Sequence, residues 1–207
     1  MSSSCGKEPL TSTRILENSI TYHDPDGEWG KLQVELEFNE VSADSSKRNT
    51  WFIIDQPNQS YKLNRNHLEI HGVKKDSCFI EKGDFSCDRA VMMKNYYTYL
   101  WGLPMKLLDP GTKLSEDYEI STWEGVEVYA LAVDYEKDDW IYYFDKKNFR
   151  LVGYEFTQTN GNIEKIILKG EVSFNNWKIP ASRSWFNTSD NSRFLGTDHL
   201  VGVKQLD

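Results

Sequence analysis

Between Leu32 and Asn39 the chain alternates strictly: Leu32, Val34, Leu36 and Phe38 fall on one side, Gln33, Glu35, Glu37 and Asn39 on the other. A period of two with one polar side predicts a half-buried β-strand. Shorter runs of this kind follow at 48–55, 60–64, 67–73 and 77–81, each bounded by Asn, Asp, Gly or Lys. A second series is predicted near 117–123, 126–134, 139–145, 149–158, 162–174, 177–187 and 192–203. Its separators include Glu124-Gly125, Lys147-Asn148, Asn160-Gly161 and Asn175-Asn176. Asn-Gly and Asn-Asn pairs accept the positive φ of two-residue hairpins. Connections this short force antiparallel neighbours, because a parallel pair needs a crossover of about a dozen residues.

Two stretches break the period. The first, from Thr11 to Tyr22, predicts a short helix capped by Thr11 or Ser12, with Ile15, Leu16, Ser19 and Ile20 on one face. His23-Asp24-Pro25-Asp26-Gly27-Glu28 ends it with strong turn chemistry. The second, Ser86 to Pro104, is the longest helical signal in the chain. Ser86 serves as N-cap, Asp88 sits in the first turn, and Gly102 and Pro104 supply the stop. Arg89, Met92, Met93, Tyr96, Tyr97, Leu100 and Trp101 recur at helical spacing as a broad apolar stripe. The predicted fold is α+β and mainly β. One strongly curved antiparallel sheet of about 12 strands curls into a half-barrel, with both helices packed in its concavity. Residues 1–9 read as a polar tether, and 10–207 as a single domain.

That stripe has two readings. It plugs the core, as aromatic stripes usually do, or its soft Met and Tyr side chains line a cavity for an apolar ligand. Trp140, Ile141, Tyr142, Tyr143 and Phe144 raise the same question, since a strand with apolar groups on both faces needs cover on both. The candidate ligand-binding residues are therefore Met93, Tyr96, Tyr97, Leu100, Trp101, Tyr142 and Phe144.

Composition narrows the partners. The 207 residues carry a net charge of −8 and no cluster of Lys and Arg, which argues against nucleic acid. No stretch approaches the roughly 20 apolar residues of a membrane span. The nucleophile elbow, the phosphate loop, the dinucleotide glycine pattern and H-E-x-x-H are all missing, so no catalytic residue, cofactor or metal is assigned. His67 and His71 lie four apart in a strand pattern, a span of roughly 13 Å that is too long for one ion, and read as a solvated polar face. Asp24, Asp26 and Glu28 do not meet calcium-loop spacing, and a capped turn accounts for them.

Ser3-Ser4-Cys5-Gly6 resembles the tail of a bacterial lipoprotein cleavage site, with Cys5 as the lipidated residue. The alternative is a free thiol on a tail. With Cys5 lipidated, Cys78 and Cys87 remain as one candidate disulfide that would clip a loop to the start of the central helix; two buried thiols are the alternative.

The block SCDRAVMMKNYYTYLWGLPMKLLDPGT resembles the signature of an uncharacterised family of bacterial lipoproteins. ILENSITYHDPDGEW, YYFDKKNFRLVGYEF and KIPASRSWFNTSDNSRFLGTDHL are similar to that family's other blocks. The resemblance implies the fold of the periplasmic lipoprotein carriers LolA and LolB, an unclosed antiparallel half-barrel lidded by helices. It also implies a monomer at the bacterial cell envelope, on the periplasmic face or the outer membrane, held there by an N-terminal lipid. Three functions stay open. One is a lipoprotein that binds a lipid or other apolar small molecule in the concavity. Another is a structural or interaction lipoprotein with a filled core, and the third is an envelope enzyme or glycan-handling accessory.

Overall fold

The computed structural model describes residues 9–135, 138–189 and 191–206. Cys5 and most of the predicted tether lie outside them. Helix α1 (Ser12–His23) opens the described chain, capped by the Thr11 hydroxyl, which accepts the Arg14 amide. Five strands follow: β1 (Gln33–Ser42), β2 (Lys47–Asp55), β3 (Ser60–Arg65), β4 (Glu69–Lys74) and β5 (Ser77–Lys82). Helix α2 (Cys87–Trp101) intervenes, with the Ser86 hydroxyl accepting from Arg89 N–H. The second series is β6 (Lys113–Trp123), β7 (Val126–Asp134), β8 (Asp138–Asp145), β9 (Leu151–Gln158), β10 (Ile163–Lys169), β11 (Val172–Phe174), β12 (Trp177–Ile179), β13 (Ser182–Asn187) and β14 (Arg193–Gln205).

Twelve of these strands form one antiparallel sheet in the order β5-β4-β3-β2-β1-β14-β13-β10-β9-β8-β7-β6. Two meanders meet where β1 pairs with β14, Leu36 opposite Val203 and Glu40 opposite Asp198. Strands β5 and β6 stay as free edges, so the sheet does not close into a barrel. The predicted long strands 162–174 and 177–187 are each split in two. Gly170 takes φ 64°, and Pro180 has no amide to donate, so the β11–β12 hairpin leaves the main ladder and pairs only with itself.

Both helices lie on the concave face. Ile15 and Leu16 of α1 join Leu100, Leu103, Leu131, Tyr142, Phe144, Tyr154 and Ile166 in one cluster. Tyr97 and Trp101 of α2 join Val34, Leu36, Phe38, Phe52, Ile54 and Leu63 in another. The broad stripe predicted for α2 is buried only in part. Met92 is 54 % exposed and Tyr96 42 %, because the N-terminal half of the helix reaches over the sheet rim beside β4 and β5.

The convex face explains the doubly apolar strand β8. Tyr143 and Val152 lie beneath Trp123, whose ring stacks on Tyr143 at 4.0 Å. Gly153 makes this possible: a Cβ there would lie 2.3 Å from Trp123 Nε1. His71 departs from the predicted solvated face. It is fully buried and stacks on Phe85 at 4.1 Å, whereas His67 sits in an exposed turn against Trp51.

Candidate ligand cleft beneath the central helix

Side chains opposite one another on neighbouring strands share a face, so the register shows what the concave floor presents. One row reads Arg48, Glu40, Asp198, Arg183 across β2, β1, β14 and β13. Four charged residues thus stand side by side on the concave face. Glu40 is 3 % exposed and is held by Arg48, with Arg65 Nε a further 3.5 Å away. Arg65 also donates to the Tyr97 hydroxyl at 3.0 Å and to Glu69 at 3.4 Å. Arg183, also buried, donates to the Leu100 carbonyl at 2.6 Å and lies 3.7 Å from the centre of the Trp101 ring. A cation at the last turn of α2 is favoured by the helix dipole, so this arginine fastens the helix to the floor.

Above the row lies a cleft of about 210 Å³, open to solvent, lined by Glu40, Arg48, Tyr96, Tyr97, Trp185 and Asp198. Val41, Ser42, Leu195 and Gly196 complete it. Burial raises the Asp198 pKa to about 7, with Glu40 adding to the effect and Arg183, Arg48 and Arg65 opposing it. Burial also raises the Tyr96 phenol, although the side chain is part-exposed. The two facts agree once Tyr96 stands inside the mouth, reached by water from one side and enclosed by protein on the others.

The sequence candidates divide. Tyr96 and Tyr97 line the cleft. Met93 is half-buried against the β1–β3 cluster, and Trp101 stacks on Phe38 at 4.2 Å. Leu100, Tyr142 and Phe144 are close-packed in the α1 cluster, away from the cleft. The Tyr142 hydroxyl shares a hydrogen bond with Tyr99, whose own hydroxyl lies 2.8 Å from that of Tyr135. Cys78 and Cys87 are joined, with Cα atoms 5.7 Å apart, a separation that suits a disulfide.

Sequence reasoning missed Glu40, Arg48 and Asp198, and saw Trp185 only as part of an aromatic surplus. The three charged residues sit in strand patterns where a polar residue reads as solvent-facing, and the proximity of all four depends on which strands pair. The inward phase of β1 did carry a signal: Glu40 continues the Val34, Leu36, Phe38 series, which puts a carboxylate on the apolar side.

The family model described as a family of unknown function, DUF6503, matches residues 1–202. The chain belongs to this family. No curated protein matches this family member by sequence. Among solved structures it is similar to the LolA superfamily protein NE2245 from Nitrosomonas europaea, with TM-score 0.60 and 11 % identity, over 96 % of this chain and 95 % of that one. It is also similar to a domain described as outer membrane lipoprotein-sorting from Vibrio parahaemolyticus, with TM-score 0.58 and 10 % identity, over 94 % and 93 % of the two chains. At these identities the likeness is one of fold. The DUF6503 chain is a LolA-like half-barrel, as the turns and the resemblance implied.

Proposed function

We propose that the protein is a cell-envelope lipoprotein that binds an amphipathic ligand in the cleft beneath α2, with Cys5 as its lipid anchor. The observation that carries the reading is a cleft of about 210 Å³ flanked by Tyr96, Tyr97 and Trp185 and floored by the charge row. It exceeds the roughly 150 Å³ of an engineered interior cavity that takes up benzene, and falls short of the roughly 300–1,000 Å³ of pockets that enclose drug-sized ligands. The cleft as it stands therefore suits a polar head with the first part of one chain. A diacyl lipid needs α2 to shift about its Cys78–Cys87 tether, and the exposure of Met92 and Tyr96 supports such a movement.

The second reading is an interaction lipoprotein with a filled core, and a specific observation favours it. Leu100, Trp101, Tyr142, Phe144 and Tyr154 occupy most of the concavity where an acyl chain would lie. Native mass spectrometry with lipid extraction, on protein purified from its own host, separates the two. A co-purifying amphiphile supports binding, and a bare chain that takes up no apolar probe leaves the filled core. Cys5→Ser in the full-length protein with its native signal is expected to lose an acyl mass; an unchanged acylated mass refutes the anchor.

A further inference from the structure

Asp198 differs from every other charged side chain of its row. Arg48 is engaged by Glu40, and Arg65 by Glu40, Tyr97 and Glu69. Arg183 is engaged by the Leu100 carbonyl and the Trp101 ring. Asp198 stands between Glu40 and Arg183 in the ladder, yet makes no hydrogen bond or ion pair with any described residue. It lines the cleft together with Tyr96 and Trp185.

We propose that the cleft selects amphiphiles whose polar end is a protonated amine, with Asp198 as the counter-ion and the Tyr96 and Trp185 rings packed around it. The inference rests on the ligand-binding reading above and names the ligand's class. Asp198 is half-buried; a carboxylate partly withdrawn from water without a partner is costly, and an ammonium supplies both charge and hydrogen-bond donors. Aromatic faces beside the carboxylate add cation–π attraction for the same group. For an anionic head the one exposed cation among the residues lining the cleft is Arg48, and its Nε already holds Glu40. Arg183 has two unpartnered nitrogens, Nε and Nη1, but both are sealed from solvent and the residue is 2 % exposed. An anion reaches them only by pulling Arg183 off Trp101 and off the end of α2.

The groups around Asp198 are Glu40 on β1, Arg48 on β2, Arg65 on β3, Arg183 and Trp185 on β13, Tyr154 on β9, and Tyr96 and Tyr97 on α2. Burial holds the Asp198 pKa at about 7, so the carboxylate discharges as pH falls through neutrality. Amine affinity is therefore expected to drop about tenfold from pH 8 to pH 6, following the ionised fraction of one acid.

The test displaces a fluorescent apolar probe from the full chain with dodecylamine, dodecanol and dodecanoate, for wild type and Asp198→Asn. At pH 8 wild type is expected to bind the amine at least tenfold more tightly than the alcohol, and the carboxylate most weakly. That preference should shrink at pH 6 and vanish in Asp198→Asn, with dodecanol affinity unchanged. Equal binding of amine and alcohol by wild type, or a preference for the carboxylate, overturns the inference while the binding reading stands. A variant that keeps the amine preference overturns it too. If the probe itself does not bind, the binding reading fails first. The wild-type comparison decides the matter even if Asp198→Asn does not fold.

Discussion

One row of the concave face passes through two different environments. It runs from Ser42 on β1 through Gly196, Trp185, Ile166 and Tyr154 to Tyr142 on β8 and Leu131 on β7. At the β7–β10 end the side chains are fully buried: Leu131, Tyr142, Tyr154 and Ile166 are all 0 % exposed beneath α1 and the C-terminal end of α2. At the β1–β14 end the same row borders water, and the neighbouring row is charged. The difference lies in what covers the sheet. Where a helix presses its apolar side onto the floor, the floor is apolar and filled. Where α2 overhangs without sealing, charged residues and half-buried rings persist. It is the second region that borders the open cleft.

That contrast can be broken most directly in the filled region. Tyr142→Ala and Phe144→Ala are each expected to cost about 3–5 kcal/mol, the usual penalty for removing a buried aromatic ring. Urea denaturation measures it, and losses under about 1 kcal/mol would show that the β7–β10 end is loosely packed.

Acid probes the same region by another route. His23 on α1 is 2 % exposed, donates through Nδ1 to the Lys178 carbonyl at 2.9 Å, and accepts the Leu151 amide at Nε2 at 3.0 Å. Accepting the Leu151 amide needs an unprotonated Nε2, and burial lowers the ring's pKa to about 4 even though the hydrogen bond to the Lys178 carbonyl opposes this. The unfolded chain takes up the proton below about 6.5 and the folded chain only near 4, so stability present above pH 6.5 is lost as pH falls toward 4. The expected loss is about 3 kcal/mol, and in His23→Gln the slope of stability over that window should flatten. An unchanged slope would locate the acid sensitivity elsewhere.

The Cys78–Cys87 link clips β5 to the start of α2, and its sequence separation is 9. Closing so short a loop is expected to stabilise the chain by about 2–3 kcal/mol. Alkylation without reductant should label neither thiol; two labelled cysteines refute the bond. Reduction should loosen the overhanging end of α2 more than the filled region, which hydrogen exchange resolves element by element.

The smallest effect belongs to the cleft. Tyr96→Ala is expected to cost under about 1 kcal/mol, since a side chain 42 % exposed leaves little cavity behind. Apolar-probe affinity should nevertheless change. A loss as large as that of Tyr142→Ala would erase the distinction between the two regions.

Much of this architecture is legible in the residues. Alternation in β1, the turn pairs between β6 and β10, and Ser86 and Thr11 as helix caps each act within a few residues, so local chemistry sets them whatever lies opposite. The limits of α2 follow in the same way, from its cap and from Gly102 and Pro104. The candidate site was legible only in part. Tyr96 and Tyr97 could be picked out because they sit on a recognisable helix face. Tyr142 and Phe144 looked equally promising, and their difference comes from α1 and α2 pressing onto β7–β10, a contact between segments far apart in the chain.

The strands, their antiparallel sense, the two helices and the excess of aromatic side chains were determined by the sequence alone, through periodicity and turn preference. The joining of β1 to β14 was decided by the tertiary structure, because no local signal links positions about 160 residues apart. That one pairing sets Glu40 beside Asp198 and, through β13, brings Arg183 into the same row. A strand's residues show which side they prefer; which charges meet on that side depends on the register of neighbours supplied from the other end of the chain.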